Sequence, residues 1–206
     1  SGADVNMLAA IQSPAQGEAT SWHSQECLLE IENCGKPVVC AFNGLAFGGG
    51  HELALACAAR VARKSLAPLG GQPEPNLGII PGAGATQRLP RLIGIDKAQG
   101  MLRMGKTFTT TQALALGLIT METDDDTLLD SAVQLARDLA NGKVAAKPLP
   151  RGPLANVPDA LPELPLGHLS RAVDKIIGEV YGGLQGKARF AHAAGAGQCQ
   201  EAHVGM

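Results

Sequence analysis

The chain has 206 residues, of which 45% are hydrophobic and 17% charged, and its formal net charge is −2. That composition suits a buried core of ordinary domain size and argues against global disorder. The near-neutral charge and the 3% aromatic content argue against nucleic acid as a partner, and no apolar run reaches the ~18–20 residues of a bilayer span.

Along the chain, "SWHSQECLLEIENC" sets Cys27, Leu28, Ile31 and Cys34 at helical spacing, which predicts a helix over residues 21–34. In "GKPVVCAFNG", Pro37 opens a short β-branched run that closes at Asn43 and Gly44, the pattern of a buried strand followed by a turn. Three glycines form a loop, and "HELALACAARVA" then predicts an Ala-rich helix. Helix, strand, loop and helix in this order suggest an α/β layered domain. "EPNLGIIPGAGATQRL" is a loop punctuated by Gly and Pro. "QRLPRLIGIDKAQGMLRMG" and "TTTQALALGLIT" predict short helices, the second capped by Thr and closed near Gly117. The clearest helix is "DDDTLLDSAVQLARDLANG". Asp124, Asp125 and Asp126 suit its dipole, Leu128, Leu129, Ala132, Leu135, Ala136 and Leu139 form its apolar face, and Gly142 stops it.

Residues 143–168 hold six of the thirteen prolines and read as a linker. Helical periodicity resumes after it. The expected organisation is a core over 1–142, a linker over 143–168 and a C-terminal helical region over 169–206. Five cysteines, Cys27, Cys34, Cys40, Cys57 and Cys199, are scattered and include no C-x-x-C pair. This spacing argues against a disulfide framework or a metal site and for a reducing compartment.

The glycine-rich stretches admit three chemical readings. A phosphate loop requires a Lys-Ser/Thr pair that neither stretch supplies. A dinucleotide turn requires a third glycine where "GAGATQ" has Gln87, so that signal is weak. The remaining reading is that glycine lets bare peptide N–H groups at a helix N-terminus approach a reacting carbonyl oxygen. Losing one such donor costs about 3 kcal/mol of barrier.

Taken together, "SGADVNML", "KPVVCAFNGLAFGGGHELALACAARVA", "GQPEPNLGIIPGAGATQRLPRLIG" and "ALALGLI" resemble the enoyl-CoA hydratase/isomerase (crotonase) family, over residues 1 to about 140. The resemblance implies an α/β fold, a spiral of ββα units with two nearly perpendicular sheets and a C-terminal helical region used in assembly as a homotrimer or dimer of trimers. It implies an acyl-CoA thioester as substrate, no metal or redox cofactor because CoA arrives with the substrate, and a cytoplasmic location, or the mitochondrial matrix in a eukaryote. It also implies an oxyanion hole from the amides of Ala3 and Gly49, and strands and a helix ahead of "SGAD". The Pro-rich segment resembles the one after the hydratase part of some multifunctional β-oxidation proteins.

Hydratases of this family carry two glutamates, matched here by Glu52 and Glu74. Addition of water across a double bond needs one group to take a proton from water and another to deliver one to C2. By resemblance, Glu52 orients and deprotonates the water, Glu74 exchanges the proton with C2, and the Gly82 amide helps hold the water. Taken singly, each glutamate reads as a dipole partner or a solvated turn residue; the surrounding motif reverses that. His51 reads as a packing substitution and Cys57 as a small core residue. The expected reaction converts a trans-2-enoyl-CoA to a 3-hydroxyacyl-CoA. The alternatives are double-bond isomerisation, hydration of a cyclic dienoyl-CoA, C–C hydrolysis, or a non-catalytic role on the same scaffold.

Overall fold

The computed structural model describes residues 2–150, 152–154 and 157. The expected C-terminal helical region and the end of the expected linker lie outside these residues. Helix α1 spans Val5–Ala9, α2 Pro14–Asn33, α3 Gly49–Ala56, α4 Ala85–Ile93, α5 Ile95–Met104, α6 Thr110–Leu116 and α7 Leu128–Ala140. The strands are β1 Val39–Phe42, β2 Ala46–Phe47, β3 Ala59–Arg63, β4 Gly70–Gly71, β5 Thr107–Phe108 and β6 Met121–Thr123, and a 3-10 turn covers Glu74–Leu77.

The strands form two three-stranded sheets. In the first, β3 lies between β1 and β6, all parallel, with Val39 opposite Ala59 and Val61 opposite Met121. In the second, β4 lies between β2, parallel to it, and β5, antiparallel. Successive residues of a strand face opposite sides of its sheet. Accordingly, Ala59 and Val61 of β3 pack with Leu128, Ala132 and Leu135 of α7, whereas Ala62 joins the larger core of Phe42, Leu55, Leu69, Leu89, Leu102 and Ile119.

The Ala-rich helix predicted through residue 62 is the main correction. Helix α3 stops at Ala56, Cys57 is extended, and residues 59–63 form the central strand. Ala propensity favours a helix, but packing of residues 59–62 against α7 on one face and the larger core on the other overrides the local preference. Arg60 stabilises this break. Its buried guanidinium donates to the carbonyls of Ala54 and Cys57, at 3.3 and 2.7 Å, and its Nε donates to that of Leu118. It thereby gives the Cys57 carbonyl, just past the helix, a partner and adds a second donor to that of Ala54, which also accepts from the Cys57 N–H.

Helix α2 begins well before residue 21, because Ser13 caps it and Pro14 opens it. Its expected apolar face is only partly realised: Leu28 is buried, while Cys27 and Cys34 are exposed. Strand β1, predicted as buried, is half-buried except at Phe42, since among the described residues it pairs on one side only. The acidic triplet precedes α7, whose cap is Thr127. Asp124 pairs with Lys64 at 3.0 Å and Asp125 accepts from the Ser65 hydroxyl, so these residues tie the α7 approach to the end of β3. Helix α6 follows its prediction, with a capping box at Thr109 and a left-handed Gly117. No helix among the described residues is long and apolar enough to cross a membrane.

On α7, Leu135 is 7% exposed and Leu129 is 70% exposed, although the sequence places both on the apolar face. Leu135→Ala is expected to lower stability by about 2–5 kcal/mol, the cost of a core cavity. Leu129→Ala is expected to change it by less than about 0.5 kcal/mol. Urea unfolding of both variants checks the assignment.

Candidate active site

The glycine run sits where β2 passes into α3. Gly48 has φ 52°, a left-handed conformation that favours glycine, and its N–H donates to the Gly71 carbonyl at 3.1 Å. A second constraint is spatial. A Cβ built on Gly48 would lie 2.5 Å from Oε1 of Glu74, so the Glu74 carboxyl occupies the space that a side chain would fill.

Gly49 opens α3, and the first N–H groups of a helix have no intrahelical acceptor. The Gly49 Cβ direction points at Ala3, whose amide nitrogen is 3.6 Å from that position. The segment carrying Ala3 is pressed against the same turn, since a Cβ on Gly2 would meet the Phe47 carbonyl oxygen at 2.5 Å. Just beyond it, Asp4 caps α1 by accepting from the Asn6 N–H at 2.9 Å. The two peptide groups expected to form an oxyanion hole are therefore neighbours.

Glu52 lies in the first turn of α3, facing inward and only 2% exposed. Its Oε1 accepts from the N–H groups of Ala83 and Ala85, each at 2.9 Å. It therefore serves the N-terminus of α4, where Gly84 is left-handed at φ 110° and unpaired donors would otherwise be buried. Burial raises the Glu52 pKa above the usual carboxylate range, against the lowering effect of these amides and of the Arg88 charge. Arg88 reaches the same loop, donating to the Ala83 carbonyl at 2.7 Å and pairing with Glu32 of α2.

Glu74 is 9% exposed in the 3-10 turn. Burial pushes its pKa from 4.5 to about 7; a backbone hydrogen bond lowers it and the nearby Glu52 charge raises it further. Two carboxyls in a dry setting resist ionising together, and burial favours the protonated form of each.

Gly82 is also near this loop, but its carbonyl is the group engaged: it accepts from Gln25 Nε2 at 2.8 Å, and a Cβ there would meet Ser21 Oγ at 2.8 Å. The amides that reach Glu52 are those of Ala83 and Ala85, which the sequence did not single out. Backbone donors leave no side-chain signal, and the only trace is the left-handed glycine between them. His51, read as a packing substitution, does pack, with its ring centroid 5.1 Å from that of Phe108 at a 54° tilt. It also lies 2.9 Å through Nδ1 from the side-chain amide of Gln72, which the sequence reading had not picked out. Cys57 is half-buried beside Cys40 and Arg60, an environment that lowers its pKa.

Comparison with known proteins identifies the family. The family model described as enoyl-CoA hydratase/isomerase matches residues 1–154. The chain is 45% identical over 148 residues to the fatty acid oxidation complex subunit alpha of Shewanella frigidimarina, which covers 72% of this chain and 20% of that protein. With the same subunit from Shewanella loihica, identity is 40% over 167 residues, covering 81% and 23%. Enoyl-CoA hydratase from Bacillus anthracis superposes with a TM-score of 0.63 at 36% identity, covering 68% of this chain and 53% of that one. The corresponding Thermoplasma volcanium enzyme gives 0.61 at 34% identity, covering 68% and 54%. The chain thus spans about a fifth of the length of the curated relatives and about half that of the solved structures. With this fold, this glycine turn and these matches, the chain belongs to the enoyl-CoA hydratase/isomerase family, with its α/β crotonase fold.

Proposed function

We propose that the chain carries an enoyl-CoA hydratase centre, which adds water to a trans-2-enoyl-CoA to give a 3-hydroxyacyl-CoA. The observation that carries this reading is the pair of buried carboxyls, Glu52 on the α4 amides and Glu74 seated against Gly48, both with raised pKa.

The steps balance as acid–base chemistry. The thioester carbonyl oxygen accepts from the N–H groups of Ala3 and Gly49. Glu52, whose Oε1 is fixed by two amides, takes a proton from water through its other oxygen as the water oxygen attacks C3. The C2–C3 π electrons move to C2 and the carbonyl, and the developing oxyanion is held by the two peptide donors. Glu74 delivers its proton to C2. Water is consumed, no electrons leave the system, and a proton passing from Glu52 to Glu74 restores the pair. CoA is part of the substrate, so this chemistry calls on no other cofactor. The names of the relatives, enoyl-CoA hydratase and fatty acid oxidation complex subunit alpha, support a place in fatty acid oxidation, and assembly as a trimer or dimer of trimers belongs to the same proposal.

Glu52→Gln and Glu74→Gln are each expected to lower turnover of crotonyl-CoA by about 10²- to 10⁴-fold. Unchanged turnover in both, or turnover of a 3-enoyl-CoA alone by the parent, contradicts the hydratase reading.

Stability should follow the opposite course in Glu74→Gln. Because the folded pKa of Glu74 lies above its ordinary value, its contribution is fully present below pH 4.5 and is lost as pH rises through about 7. At about 1.4 kcal/mol per pH unit, ionisation costs the folded state up to about 3 kcal/mol above neutrality. Glu74→Gln is therefore expected to match the parent near pH 4 and exceed it near pH 8 in denaturant unfolding. Equal stability at both values contradicts the burial assigned to Glu74.

A further inference from the structure

Beyond the two glutamates, a buried polar chain runs from α3 to the 3-10 turn. Gln72, fully buried and directly after β4, stands between His51 and Glu74. Its amide has two orientations, and the hydrogen-bond chemistry separates them. With the oxygen turned to the imidazole, it accepts from Nδ1–H at 2.9 Å, and the NH₂ donates to the two Glu74 oxygens at 3.1 and 3.2 Å. With Glu74 ionised, every contact then pairs a donor with an acceptor. The reverse orientation sets the amide oxygen against the carboxyl oxygens, which disfavours an ionised Glu74 and can accept only from a protonated one.

The imidazole is suited to decide between them. Burial and the positive charge of Arg60 hold its pKa down to about 3, so the ring is neutral at physiological pH and carries one N–H. Phe108 against its face limits rotation. A neutral histidine with Nδ1–H presents only a donor on that side.

We propose that His51 is a positioning residue, whose Nδ1–H fixes the Gln72 amide so that its NH₂ points at the Glu74 carboxyl and keeps that carboxyl aimed. This rests on the reading of Glu74 as the proton donor to C2. The packing interpretation of His51 assigns it volume alone; the positioning role requires a hydrogen-bond donor at one place. The charged groups around this chain are Glu52 from α3, which acts on Glu74, Arg60 from β3, which acts on His51, and Arg88 from α4, which acts on Glu52 and pairs with Glu32 of α2.

The test is the pH profile of hydration in the full-length protein. An N–H donated to a carboxylate stabilises its ionised form, so removing the donor raises the pH at which Glu74 loses its proton. His51→Leu lets the amide turn its oxygen to Glu74 and accept from the protonated acid. The alkaline limb of kcat/KM is then expected to move up by about 1 pH unit. His51→Asn keeps an N–H near the Nδ1 position and is expected to leave the limb where it is in the parent. An unmoved limb in His51→Leu, or an equal shift in both variants, overturns the proposal.

If His51→Leu does not fold, ¹⁵N NMR of the unsubstituted protein decides. A neutral Nδ1–H ring at pH near 7 is expected, and an Nε2–H ring or an imidazolium overturns the proposal. Glu74→Gln separates the two levels. Loss of hydration there with an unmoved limb in His51→Leu overturns only the role of His51. Retained hydration in Glu74→Gln overturns the reading of Glu74 and the positioning role with it.

Discussion

The site depends on one close fit: a carboxyl group occupying the volume that a side chain on Gly48 would need. That fit couples three separate parts of the chain. The turn from β2 into α3 must be left-handed and bare, the Gly48 N–H is spent on the Gly71 carbonyl, and the 3-10 turn that follows must bring Glu74 to the gap. Neighbouring Gly49 brings the same turn against Ala3. One stretch of backbone thereby sets both the place of an acid and the meeting of two peptide donors, and the entropy cost of ordering glycine is spent where geometry requires it.

Electrostatics around this fit are arranged through backbone more than through ion pairs. Glu52 has no direct cationic partner among the described residues and is held by the Ala83 and Ala85 amides, while the Arg88 charge acts on it from α4. Burial still dominates for both glutamates, and their mutual repulsion adds to it for Glu74. The result is two buried carboxyls that both hold their protons more tightly than an ordinary carboxylate. Arg60 does comparable work for the scaffold: by binding the Ala54 and Cys57 carbonyls it ends α3 cleanly and lets the chain re-enter as the central strand.

Much of this was legible because it depends on residue types that few environments tolerate. The glycine run ahead of α3 stands out in the sequence and the capping residues around α6 behave as written, whereas Glu52 and Glu74 are singled out only by the motif match around them. The helix-to-strand change at Cys57 was hidden, since alanine suits both a helix and a doubly covered strand, and only packing between α7 and the larger core decides. Leu129 illustrates the same limit: it fits the helical period of α7, yet the face that β3 and the core cover is too narrow to include it. The Ala83 and Ala85 amides and the orientation of Gln72 were invisible, because they are properties of backbone direction and of contacts between distant segments.

The most direct test of the central fit is the titration of the Glu74 carboxyl itself, read from the carboxylic C=O stretch in difference infrared spectra of the parent against Glu74→Gln. A carboxyl seated against Gly48 away from water is expected to keep its proton up to about pH 7. Loss of the signal near the ordinary value of 4.5 would show Glu74 in contact with solvent and contradict the account.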